Sequence, residues 1–189
     1  MKIISAKNGK FLENGMINTL VHFEGFDDFI PFTASPEDSE EHGRHLYADL
    51  KAGKYGPVAP FTVTPEMLTA AKQAKHAEIN SWRDAQENGN IPFTLNDQKW
   101  DCGKASQTRL APVVAVAKSG ALPPGFFWTD ADNIDVPMTA DELTALEASM
   151  QQNMVLQGFK IHERQRQMKE EMEALTTLAD IRNYRVGWS

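Results

Sequence analysis

The chain has a single cysteine, Cys102. One thiol closes no intrachain disulfide and builds neither a thiolate zinc site nor a CxxC redox pair, a usage that suits a reducing compartment. No run of about 20 apolar residues is present, so no membrane partner is expected. The opening MKIISAKNGK lacks the apolar stretch of a secretory signal, and a cytoplasmic location in the producing cell follows as an expectation. Positive charge is also short. Lys and Arg number 19 against 26 Asp and Glu, a net charge of -7. Phosphate backbones are bound by positive surfaces that displace counterions, so no nucleic-acid partner is expected. The densest basic segment, residues 160–169, is interrupted by Glu163 and followed by Glu170 and Glu171, the pattern of a solvated helix face.

Catalytic signatures are missing as well. There is no G-x-S-x-G elbow, no P-loop, no G-x-G-x-x-G and no HExxH. The expectation is a non-enzyme with no cofactor and no metal. Three constellations nevertheless invite weighing. His42-Gly43-Arg44-His45 sets two imidazoles at i and i+3 with no third ligand specified. Asp130-Ala131-Asp132-Asn133-Ile134-Asp135 begins like a calcium loop, then puts Ile134 at a ligand position and Asp135 where a glycine is needed, and so reads as an Asx turn. The carboxylates Glu40, Glu41, Glu142, Glu147, Glu170, Glu171 and Glu173 fall on helix faces expected to be solvated, without the cleft that general acid–base work requires. Cys102 beside Trp100 reads as a buried structural thiol.

What the chain does have is a long helix. Residues 139–176 open with Thr139 as N-cap and Glu142 three positions on, a capping box. Leu143, Leu146, Met150, Met154, Ile161, Met168, Met172 and Leu175 then keep one face apolar. Such a helix runs on the order of 50 Å, longer than a small domain is wide, so part of it is expected to pack beyond its own domain or stand in solvent. Gly158 weakens its middle and invites a bend.

Taken in order, residues 1–60 read as a small module: a hairpin with breaks at Asn8-Gly9 and Glu13-Asn14-Gly15, an edge piece carrying Pro31, and a helix capped by Ser35 and ending at Gly53. The Gly- and Pro-rich residues 53–60 mark a linker or an extended edge, with a boundary near Phe61. Residues 61–189 read as helix-dominated. Thr64-Pro65 starts a helix with Leu68, Ala71, Lys75, Ile79 and Trp82 on one stripe. A hairpin turns at Asn96-Asp97, Pro112 is expected to kink or restart the next helix, and a second extended pair flanks residues 130–133. The fold class is therefore α+β: a small N-terminal β-hairpin and helix module, then a helix-rich domain with two short hairpins and one long C-terminal helix. The aromatics Trp82, Phe93, Trp100, Phe126, Phe127, Trp128 and Trp188 read as core, with partner docking as the alternative.

Several stretches together resemble a known group. Ile79-Asn80-Ser81-Trp82-Arg83-Asp84, Trp100-Asp101-Cys102, Phe127-Trp128-Thr129-Asp130-Ala131-Asp132-Asn133, Val136-Pro137-Met138-Thr139 and Val186-Gly187-Trp188 resemble an uncharacterised domain of tailed-bacteriophage proteins encoded around tail and tail-fibre genes. Residues 75–189 carry this likeness. Pro31-Phe32-Thr33-Ala34, Gly43-Arg44 and residues 53–60 resemble, over a shorter span, the N-terminal part of some tail-fibre and fibre-assembly proteins. The resemblance implies a structural tail or tail-fibre component that attaches to another tail or fibre protein, with a fibre-assembly chaperone as the alternative and an uncharacterised enzyme as a remote third. It brings no catalytic residues with it. It implies residence in the host cytoplasm during assembly and then in the virion tail. The face of Met150, Met154, Ile161 and Met168 is the expected contact with a partner or with further copies in a homo-oligomer, and Trp188 the expected docking residue.

Overall fold

A computed structural model describes residues 1–189, and they divide into two compact units, Met1–Thr64 and Pro65–Ser189. The protein is α+β.

The first unit is a three-stranded antiparallel meander, β1 (Ile3–Phe11), β2 (Ile17–Phe23) and β3 (Ile30–Ala34), with helix α1 (Glu41–Lys51). Strict alternation along β2 turns Ile17, Thr19, Val21 and Phe23 inward. Ile17, Val21 and Phe23 meet Leu46 and Leu50 of α1, together with Ala6 and Ala34, in one core, while the Thr19 hydroxyl donates to the Lys7 carbonyl at 2.8 Å. The chain reverses at Asn14-Gly15, where Gly15 takes φ +80°. Asn8-Gly9 does not end a strand. It is an irregularity within β1, with Asn8 at φ 58° and the register shifting between Lys7 and Lys10. Residues 53–60 are likewise more than a linker. The Ala59 N–H donates to the Gly9 carbonyl at 2.8 Å, and the Phe11 N–H donates to the Ala59 carbonyl at 2.9 Å, so the segment is fastened to β1. Helix α1 starts six residues after Ser35, at Glu41. Ser35 caps only a turn, accepting from the Glu37 N–H at 3.2 Å, and Asp38 folds back over Gly43, where a Cβ would collide with its carboxylate.

The second unit runs α2 (Pro65–Glu87), β4 (Ile91–Leu95), β5 (Gln98–Cys102), α3 (Lys104–Lys118), β6 (Phe127–Thr129), β7 (Asp135–Pro137), α4 (Ala140–Glu173) and α5 (Leu178–Asn183). Strands β4 and β5 form the hairpin whose turn is Asn96-Asp97, both at positive φ as a two-residue turn requires. Helix α3 is continuous through Pro112. The ring sits on the exposed side, so the Thr108 carbonyl deprived of its intrahelical donor faces water and the helix is not interrupted.

Helix α4 is also continuous, 34 residues without a break at Gly158. Its capping box forms as the sequence indicates: the Glu142 N–H donates to Thr139 Oγ1 at 3.3 Å and the Thr139 N–H to Glu142 Oε2 at 2.7 Å. The length is absorbed inside the unit by two cores in series. Leu143, Leu146 and Met150 join Trp100, Cys102, Leu110, Val114 and Ala117. Further along, Met168 and Met172 join Ile79, with Trp82, Tyr184 and Val186 packed against them. The apolar face of α4 therefore needs no second domain. Between the cores, Gln165 crosses to α2 and donates to Asn80 Oδ1 at 2.9 Å, which satisfies a buried polar group.

Candidate docking surface

The α4 residues singled out by period are mostly interior. Met150, Ile161 and Met168 are 1%, 2% and 0% exposed, and Met154 is half-buried against the first core. A partner reaches that face only if α4 leaves its own unit. The helical period marks the side facing α2 and α3, because core burial and oligomer contact leave the same pattern in a sequence.

A different face of α4 is open. Val155, Leu156 and Phe159 are 72%, 53% and 68% exposed. At 3.6 residues per turn they cluster on the side opposite Met154, Gly158 and Ile161. Ala145, Ala148 and Gln152 precede them on this outward face and Glu163 and Arg166 follow, all exposed. The signal was present in the sequence as apolar residues out of phase with the core repeat. It was masked because Met154-Val155-Leu156 reads as one apolar run.

On the inward side at the same level, Met154, Gly158 and Ile161 line a cavity of about 210 Å³ with Gly89, Ile91 and Cys102. A Cβ at Gly158 would meet nothing within 4 Å. Burial pushes the Cys102 thiol above its usual range, and its S–H points at the Met150 carbonyl at 3.5 Å. A thiol so held is not a thiolate nucleophile.

Trp188 is half in and half out. Its ring meets Trp82 edge-on at 5.1 Å, and its indole N–H donates to Gln86 Oε1 at 3.0 Å, while 50% of the residue stays exposed. Phe127 on β6 is 48% exposed, whereas Trp100 is buried at 3%. The aromatics thus serve both core and surface.

Several charged groups of the second unit have structural partners. Glu171 accepts from the Tyr184 hydroxyl at 2.5 Å and from Arg164 at 3.0 Å, and these bonds hold its carboxyl below the usual range. Burial, reinforced by Glu171, pushes Tyr184 up to about 12. Glu173 is held low by hydrogen bonds from His76 and Lys72, and Glu142 by the Thr139 backbone and hydroxyl. Asp130, 4% exposed, accepts the N–H groups of Asp132 and Ile134 on one oxygen at 2.9 and 2.8 Å, an Asx turn that leads from β6 to β7. The His42 ring lies against Phe23 and Phe32, while His45 is 3.8 Å from Glu41. No three His, Cys, Asp or Glu side chains converge as a metal site would require. No helix is long and apolar enough to cross a membrane.

Residues 70–185 match the domain of unknown function DUF4376. The chain belongs to that family. No curated protein and no solved structure matches it. The DUF4376 stretch begins inside α2 and ends at Arg185, so it includes both cores and the outward stripe of α4, and Trp188 lies just past its end.

Proposed function

We propose that this DUF4376 protein is a non-enzymatic structural component of a bacteriophage tail or tail fibre that acts by docking other protein chains. The likeness of residues 75–189 and of the first unit to tail-region proteins supports the phage assignment. The observation that carries the docking role is the stripe of Val155, Leu156 and Phe159, three large apolar side chains more than half exposed on one face of an otherwise well-packed helix. Isolated exposed apolar residues are ordinary, but a contiguous set on a rigid element marks a surface that is covered in use. Trp188, half exposed and held by Trp82, is a second anchor suited to a tail or fibre protein.

Quantitative mass spectrometry of purified particles from the encoding phage tests the reading. Copies in an integer ratio to a tail or fibre protein support a structural component. Absence from particles with abundance in the infected cell overturns it in favour of a fibre-assembly chaperone.

A further inference from the structure

We infer that the outward stripe of α4 is the interface of a homodimer, in which α4 of a second copy lies antiparallel across it. The inference rests on the reading of the chain as a docking protein and names one of the chains it docks.

The argument is self-complementarity. Large and small exposed residues are segregated along this face: Ala145 and Ala148 lie toward the N-terminal end, and Phe159 lies one turn beyond Val155 and Leu156. A two-fold axis crossing α4 between Asn153 and Met154 lays Phe159 of each copy over Ala148 of the other. Both residues lie near the middle of the outward face, so a bulky side chain meets a vacant position in both copies at once. The same axis sets Gln152 beside Val155 at the centre.

That register also aligns opposite charges. Arg166 falls beside Asp141 of the other copy, twice by symmetry, about 37 Å along the helix from end to end of the contact. Both residues are exposed and neither forms an ion pair within its own chain, although Arg164 two positions away pairs with Glu171. A parallel arrangement would instead place Phe159 against Phe159 and Arg166 against Arg166. The antiparallel one matches size and sets Arg166, flanked on its own helix by Glu163 and Glu170, beside an opposite charge. The charged pair at each end favours the correct register more than it adds affinity, and the Phe159 pair supplies the anchor. One helix face is a small contact, at the low end of stable interfaces, so the dimer is expected to form in the micromolar range.

Sedimentation equilibrium of the full chain from about 1 to 200 μM tests this. The expected result is a monomer–dimer equilibrium. Phe159→Glu, at an exposed site that leaves the fold intact by circular dichroism, weakens the dimer at least about 100-fold. Arg166→Glu weakens it about 10-fold, and adding Asp141→Arg to it restores association. A monomer at every concentration, or a dimer indifferent to Phe159→Glu, overturns the inference and returns the stripe to a different protein. A dimer that Phe159→Glu abolishes, but whose weakening by Arg166→Glu is not reversed on adding Asp141→Arg, overturns the antiparallel register. Particle mass spectrometry addresses the tail assignment separately: a dimer absent from particles defeats that assignment and leaves this inference standing, and a monomer found in particles does the reverse.

Discussion

Met168 and Phe159 lie on opposite sides of one helix, and truncating each to alanine should separate folding from docking. Met168 is fully buried in the second core against Ile79 and Met172, and the Gly187 N–H donates to its sulfur at 3.3 Å. Its removal deletes buried methylenes, leaves a cavity and unseats the C-terminal segment, at a cost of about 2–5 kcal/mol. Phe159 is 68% exposed, and in the monomer its truncation should change stability by no more than about 0.5 kcal/mol. The assay is urea unfolding followed by tryptophan fluorescence. All 4 tryptophans, Trp82, Trp100, Trp128 and Trp188, lie in the unit Pro65–Ser189, so the signal reports that unit alone. With a urea dependence of about 2 kcal/mol per M, Met168→Ala should lower the midpoint by about 1–2.5 M at an unchanged slope. The experiment belongs below 1 μM protein, where dimerisation adds nothing to apparent stability. Equal midpoints for Met168→Ala and wild type, or a drop for Phe159→Ala as large as for Met168→Ala, would refute the assignment of inward and outward faces.

Asp130→Ala should destabilise the same unit by about 1–3 kcal/mol, because two backbone N–H groups lose their acceptor, whereas Asp130→Asn retains that oxygen and most of the stability. Millimolar Ca²⁺ should leave both the wild-type midpoint and the Asp130→Asn midpoint unmoved. Gly158→Ala should stabilise α4 by about 0.5–1 kcal/mol, since the new methyl group enters open space beside the inter-core cavity, and a loss in thermal unfolding would contradict the packing described. Glu171 has a folded-state pKa below its unfolded value, so its contribution is complete above the unfolded carboxylate range and disappears as pH falls through the folded value. Glu171→Gln should therefore flatten the fall in urea midpoint below about pH 4.5. Tyr184 has the opposite sign: its contribution is lost as pH rises from about 10 toward its folded value of about 12.

The parts legible in the sequence were those set by nearest neighbours in the chain. Thr139 and Glu142 specify their capping box within four residues, and Asn96-Asp97 between alternating arms specifies a two-residue hairpin. Where a distant residue intervenes, local reading fails. Asn8-Gly9 has the composition of a turn, yet β2 pairs with β1 on both sides of it and Ala59 bonds across it, so the strand continues as a bulge. Ser35-Pro36 has the composition of a helix start, yet the Ser35 hydroxyl accepts only from the Glu37 N–H, Asp38 accepts from the Glu40 N–H, and the helix starts at Glu41. Pro112 has the composition of a breaker, yet on the wet face the carbonyl it frees is solvated, and α3 continues through it.

The outward stripe of α4 is hidden from a periodic reading for a related reason. Hydrophobic periodicity finds the face of a helix that is most consistently apolar, and in a chain with its own core that face belongs to the core. A long helix sharpens the problem. The apolar period of α4 continues through both cores, where α3 and the hairpins cover one half of its length and α2 with the C-terminal residues Tyr184 and Val186 covers the other. Once those neighbours are assigned, residues at the core phase carry no information about partners, and those that break the phase carry most of it. Val155, Leu156 and Phe159 occupy positions where more than half of each apolar side chain faces water. Their cost in exposed apolar surface is explained by a contact outside the unit, and the opposed placement of Ala148 with Phe159 and of Asp141 with Arg166 makes another α4 the surface that fits.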